Sequence, residues 1–432
     1  MSATLVETVP FAPLRDAPPI QRWSLPNGLT VLIHEDHHAP IFAWHTWFRV
    51  GSRHERPGRT GMAHLFEHLM FKETTSLKEG EFDRTMELNG GQTNAATWVD
   101  WTYYHEKLPA TRLDLVARLE ADRMENMVLG THQLETEREV VINERKLRVD
   151  NDPDGKAYEV LYAMAFGKDH PYGWPTIGWM EDIRAIGLQD CLDFYRTWYA
   201  PNNATIIVVG DVDPAAVMES IERHYGHIPP QEVPPPRPNP PLPPGPHRAE
   251  ITLPLSGDRL ICAWESVALD DPDLYAAEVL SEVLLNSDAA RLSKRLVYDA
   301  EVASGASGWL SGFAWPGLLQ IDVTMKPEVA AEEAEAIIDE ELARVCAEVV
   351  GPEELERART KVEVQVVRNL LSVDSKAHLL GLYEATVGSF KAALDSMDRL
   401  QAVTADDVLR VARRIFRDER RTTLIARPEE EA

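Results

Sequence analysis

The sequence predicts an α+β fold built from two homologous domains, each an antiparallel sheet with helices packed on one face. Three observations carry this expectation. A chain of 432 residues is too long for a single core and suits two domains. In "PPQEVPPPRPNPPLPPGP", residues 229–246, 11 of 18 positions are proline, so the stretch can be neither helix nor central strand. Finally, "DCLDFYRTWYAPNNATIIVVG" before that stretch and "DDVLRVARRIFRDERRTTLIARP" near the end of the chain share one order. Each runs helical segment, break, apolar strand, as expected of a duplicated unit. The expected layout is a flexible N-terminal segment over 1–19, a first domain over 20–228, a polyproline linker over 229–246 and a second domain over 247–432. At about 3.1 Å per residue the linker could span roughly 55 Å.

Within the first half the elements follow from local signals. "RWSLPNGLTVLIHE" reads as a hairpin, with Asn27-Gly28 between two apolar runs. "IFAWHTWFRV" is a third strand, rich in aromatic and β-branched residues. Two more strands come from "QTNAATWVDWTYYHEKL", after the turn signal Gly90-Gly91. Helices are expected near 62–71, 80–89, 111–128 and 131–148, the third reading "LDLVARLEADRMENM" with apolar residues at helical spacing. Strands joined by short turns and then runs of helices indicate an antiparallel sheet with helices on one face.

Charge and cysteine usage bound the function. A net charge of −26 makes nucleic acid and anionic membranes poor partners and favours basic peptides or cations, although an acidic surface also simply confers solubility. Three widely spaced cysteines, Cys191, Cys262 and Cys346, form no C-x-x-C pair and argue for a reducing compartment. The opening "MSATLVETVPFAPLRDAPPI" lacks a basic start followed by an apolar run, and no apolar run approaches about 20 residues. No signal peptide and no membrane span are therefore expected, and the cytoplasm is the expected location.

Two stretches compete as metal sites. His34-Glu35-Asp36-His37-His38 spells H-E-x-x-H, but that chemistry requires a helix, where positions four apart share one face. His34 closes a strand and Pro40 follows, so no helical turn fits, and His37 and His38 are expected in a solvent-facing turn. In "GMAHLFEHLMFK" the context is helical: Ala63, Leu65, Phe66, Leu69 and Met70 suit a buried helix after Gly61. His64 and His68 then stack, with Glu67 on the adjoining edge. On the residues alone this is either two metal ligands with a carboxylate beside them or a core helix with satisfied histidines.

Catalytic zinc usually takes three protein ligands and water. The helix "ETEREVVINERKLR" offers Glu137 and Glu144, seven apart and so on one face. Val140, Val141 and Ile142 press this helix into a core, where a carboxylate needs a partner such as a metal. A charged surface helix remains the alternative.

His64-x-x-Glu67-His68, with Glu144 a further 76 positions on, resembles the inverted-motif zinc peptidases of the pitrilysin/insulinase family. The half-length branch that includes mitochondrial processing peptidase is the nearest likeness. "VGSRHERPGRTGMAHLFEHLMFK", "ELNGGQTNAATWVDWTYYHEKLP" and "EREVVINE" all follow the family pattern, and the second half resembles it loosely through "AARLSKRLVYDAEVAS".

The resemblance implies a zinc metalloendopeptidase acting on peptides or unfolded segments, with one zinc per chain held by His64, His68 and Glu144. Glu67 would be the general base toward a zinc-bound water, and Glu137 would support the site from beside a ligand. Asn94, Ala95, Ala96 and Thr97 resemble the edge strand on which substrate adds as an extra strand. Arg291 matches the substrate-contacting arginine of the second domain, itself expected to be non-catalytic. Ser304 stands where a tyrosine is usual, with Tyr298 nearby, so another chain is expected to supply substrate contacts. A homodimer, or a heterodimer with a motif-less sister chain on which activity depends, is therefore expected. A non-catalytic scaffold role is the rival reading, against which all four motif positions are present.

Overall fold

The computed structural model describes residues 2–12 and 17–429. It divides into two compact units, one of Met1–Arg145, Trp174–Pro238 and Arg368–Asp395, the other of Lys146–Gly173, Asn239–Val367 and Ser396–Ala432.

The first unit holds a seven-stranded sheet of β1 (Thr4–Val9), β2 (Ile20–Ser24), β3 (Thr30–Glu35), β4 (Ile41–Phe48), β5 (Gln92–Thr97), β6 (Thr102–Pro109) and β7 (Ala204–Gly210). Their order is β1-β2-β3-β7-β4-β6-β5, so β5 is an edge strand. All pairings are antiparallel except β3 with β7. The helices α1 (Met62–Leu69), α2 (Glu81–Leu88), α3 (Leu113–Asn126) and α4 (Thr131–Arg145) agree with the expected ones to within a few residues at each end. Leu65, Phe66, Val116 and Val141 from these helices join Val31, Trp44 and Ile206 from the sheet in one core.

The N-terminal segment departs from expectation. Within 1–19, Thr4–Val9 form the outer strand β1 against β2, and Phe11 is buried. The segment is largely exposed, so backbone pairing with the open edge of β2, across a bulge between Leu5 and Glu7, is what holds it.

The sheet is covered on both faces. Its second face carries Leu32, Ala43, Trp47, Ile207 and Val209, which pack with Val373, Ala377 and Leu380 from a helix, Val373–Thr386, that belongs to the C-terminal half of the sequence. A Cβ at Gly381 of that helix would lie 2.1 Å from Trp47 Nε1, so glycine permits this close approach. The division of contacts thus does not follow the two halves of the sequence. The signal was present in β7, "ATIIVVG", whose residues are all buried, because an uninterrupted apolar strand must be covered on both sides.

The second unit has a five-stranded sheet, β8 (His247–Leu253), β9 (Arg259–Glu265), β10 (Ala303–Leu310), β11 (Leu318–Met325) and β12 (Arg421–Pro428), ordered β10-β11-β9-β12-β8. Again one pairing is parallel, β12 with β8. The matched segments noted above take the same form in both units: helix Leu188–Trp198, one 3₁₀ turn and β7, against helix Ala405–Ile415, one 3₁₀ turn and β12. Helix Pro153–Phe166, from the first half of the sequence, packs on this second sheet, where Tyr162 Oη accepts from Gln320 at 2.9 Å. Residues 229–244 contain neither helix nor strand, and the change of unit falls between Pro238 and Asn239.

Candidate metal centre

Helix α1 is fixed at its start by an uncommon cap. Gly61 is left-handed at φ +88°, and a Cβ there would meet Ile177 O at 2.5 Å. The buried Glu55 carboxylate accepts from Gly61 N at 2.8 Å and Ala63 N at 2.7 Å, satisfying donors that a helix N-terminus leaves open. Burial pushes the Glu55 carboxyl well above the usual carboxylate range, against the pull of these hydrogen bonds.

From this anchored helix His64 and His68 project together, ring centroids 4.8 Å apart. Helix α4 packs against α1 and presents Glu144 to both: Oε2 lies 3.6 Å from His64 Nε2 and 3.3 Å from His68 Nε2. All three donor atoms lie within 4.8 Å of one another. Two imidazole nitrogens and a carboxylate oxygen are one of the donor sets of catalytic zinc. His64 Nδ1 is buried without a hydrogen-bond partner, and its Nε2 is the ring atom turned to Glu144. The residues present therefore fit a zinc ion.

Glu137, about two turns back on α4, faces the other side of His68, with Oε1 3.0 Å from Nδ1. Its second oxygen is 2.6 Å from Lys72 Nζ, which also reaches Glu79 at 2.6 Å. A carboxylate on Nδ1 fixes the tautomer that leaves Nε2 as the ligand atom. Burial opposes the charged form of His68, but hydrogen bonds to Glu137 and Glu144 outweigh it and raise its pKa to about 9. For His64, burial and the neighbouring His68 lower the pKa to about 4. The Glu67 carboxyl is raised above the usual carboxylate range, chiefly by burial, with Thr97 on β5 beside it pulling the other way. Glu67, His68, Lys72, Asn94 and Glu137 line a cavity of about 350 Å³.

The structure therefore brings His64, His68 and Glu144 together, sets Glu67 beside Thr97, and places Asn94–Thr97 on the open edge of the sheet. Glu137 stands behind His68 and not among the converging donors. Of the expected core residues on α4, Val141 and Ile142 are buried but Val140 is 45% exposed, since three consecutive helical positions cannot share a face. Arg291 belongs to the second unit, where its guanidinium forms a two-pronged pair with Glu354 at 2.8 and 2.6 Å. Ser304 lies on β10, its hydroxyl donating to Thr324 O. In the rival H-E-x-x-H stretch His34 is buried within β3, while His37 and His38 are exposed and pair with Asp211 and Asp36. Lys72 and the capping role of Glu55 were missed. Both sit in the quoted motif region, but their partners are fixed only by packing.

Repeated α+β units, one of which carries a His-x-x-Glu-His helix faced by a glutamate from a second helix, define the class of inverted-motif metallopeptidase folds. Residues 30–177 match the family model described as "Insulinase (Peptidase family M16)", and residues 185–362 match "Peptidase M16 inactive domain". The chain belongs to this M16 family, in its half-length form. It is similar to "Zinc protease PqqE" of Helicobacter pylori, 29% identical over 94% of this chain and 92% of that one. An "uncharacterized zinc protease" of Mycobacterium leprae is 28% identical over 91% of this chain and 89% of its own length. A crystal structure of a protease from Helicobacter pylori superposes with a TM-score of 0.90 at 28% identity, covering 95% of this chain and all of that one. Among the described residues no helix is long and apolar enough to cross a membrane.

Proposed function

We propose that this chain is a zinc-dependent endopeptidase that cleaves peptides or unfolded segments. The observation that carries the reading is the convergence of His64 Nε2 and His68 Nε2 on Glu144 Oε2 beside the half-buried Glu67. A zinc ion held by His64, His68 and Glu144 would supply an acidified water and a Lewis acid for the peptide carbonyl. Glu67 takes the proton of the attacking water and, once protonated, delivers it to the leaving amine as the C–N bond breaks. Its burial suits the first half of this task, because a raised pKa makes the carboxylate a stronger base toward the attacking water. The edge strand β5 offers unpaired backbone, so an extended substrate pairs along Asn94–Thr97 with little side-chain preference.

The acidic chain favours basic peptides. Two half-length chains would enclose the site, and excluding water strengthens its electrostatics. We propose a dimer, with a motif-less sister chain favoured because Ser304 replaces the expected tyrosine. Arg291, held by Glu354, is proposed to contact substrate in that assembly.

The test is metal analysis and peptide cleavage by purified protein, alone and with candidate partner chains. Glu144→Gln should lose zinc, whereas Glu67→Gln should keep zinc and lose about 10²–10⁴-fold in rate. Cleavage by Glu67→Gln at the wild-type rate would refute the assignment. A fully active monomer on a sizing column would refute the dimer.

A further inference from the structure

A second donor cluster lies in the first unit, on the sheet face opposite α1. The register of β4 and β6 sets His45 directly opposite His105, so both imidazoles leave the same side of the sheet. Helix Val373–Thr386 covers that face and lowers Asp374 between them. Asp374 Oδ1 is 3.0 Å from His45 Nε2 and 3.5 Å from His105 Nδ1, and all three donor atoms lie within 4.8 Å of one another. Tetrahedral zinc with bonds of about 2.0–2.1 Å spaces its donors by roughly 3.4 Å, between the two measured separations. One turn along the same helix, the His378 ring stands 5.3 Å from both Trp47 and Tyr103, in the aromatic wall around the cluster.

We propose that His45, His105 and Asp374 form a second divalent-metal site, of the zinc type, that clips helix Val373–Thr386 to the sheet. Both imidazoles meet the Asp374 carboxylate through the same oxygen, Oδ1, as donors converging on one ion do. His45 Nδ1 is buried with no hydrogen-bond partner, so this ring is anchored through Nε2. The site is also reachable: the side chains of His105 and Asp374 are 25% and 39% exposed, against 1% for His45. A structural zinc bridging strand and helix adds binding free energy to folding. It would do so where residues far apart in the chain must be held together.

The test uses the full chain with the first site disabled by His68→Ala and Glu144→Gln, which makes it independent of the peptidase reading. That variant should still bind one equivalent of Zn2+ or Co2+ by equilibrium dialysis. Co2+ should quench the fluorescence of the neighbouring Trp47, and Zn2+ should raise the melting temperature. Adding His105→Gln or Asp374→Asn, both at partly exposed positions, should remove the equivalent and the quenching. If the parent variant folds by circular dichroism and binds no metal, the cluster is a hydrogen-bonded triad and the proposal falls. Retention of the equivalent in both added variants would likewise overturn it, by placing the metal elsewhere.

Discussion

Replacing Glu137 by glutamine isolates the electrostatic support given to His68. Glutamine keeps the shape of the side chain and can still accept from Nδ1, 3.0 Å away, so the substitution removes charge and little else. The carboxylate lies about 7 Å from a metal bound at Nε2, and at an effective dielectric constant of about 20 its unit charge is worth ~5 kcal/mol to a divalent cation there. Lys72 Nζ, 2.6 Å from the other oxygen, cancels most of that field. A net ~1–2 kcal/mol remains, a loss in zinc affinity of about 5–30-fold, overlapping the 10–100-fold typical of groups that support a metal ligand.

Competition with a chromophoric chelator would measure the loss, with circular dichroism to confirm the fold. Lys72→Met provides the opposite sign. Without the ammonium the carboxylate acts on His68 at full strength, so zinc should bind more tightly. Unchanged affinity in Glu137→Gln would refute the electrostatic argument. Equal weakening in both variants would mean that the pair serves only as scaffolding.

Other outcomes follow from the same contacts. Glu55→Ala leaves two buried helix-start donors, Gly61 N and Ala63 N, without an acceptor, and should cost about 2–4 kcal/mol in chemical denaturation; a loss below about 0.5 kcal/mol would remove Glu55 from the architecture of the site. His34 titrates at about 4 in the folded chain, lowered chiefly by burial, against 6.5 when unfolded. The folded state binds fewer protons between these values, so stability present above pH ~6.5 is lost as pH falls toward ~4, by up to ~3 kcal/mol. A His34→Leu variant should show a shallower fall in melting temperature across that window, and a parallel curve would contradict the assignment. His38→Ala, fully in solvent, should leave zinc content unchanged, whereas loss of metal would revive the H-E-x-x-H stretch as a site. A disulfide-locked protein should resist cleavage and its reduced form be cut; equal rates would count against strand addition at β5.

What the sequence determined was local. The helix α1 with His64, Glu67 and His68 on neighbouring edges, and α4 with Glu137 and Glu144 seven apart, were legible because helical geometry repeats every 3.6 residues. The hairpin at Asn27-Gly28 and the failure of His34–His38 to form a helix were equally legible, through turn chemistry and Pro40. Tertiary structure decided everything that depends on which distant segment meets which surface. It alone closed Glu144 onto both imidazoles, turned Glu137 toward the far nitrogen of His68, and set Glu55 under the start of α1. It also recruited Thr4–Val9 as a strand, and sent Arg368–Asp395 to the first sheet and Lys146–Gly173 to the second. Asp374 reaches His45 across 329 positions of sequence. No periodicity spans such a distance; the pairing arises because an apolar sheet face must be covered, and the covering helix brings its polar residues with it.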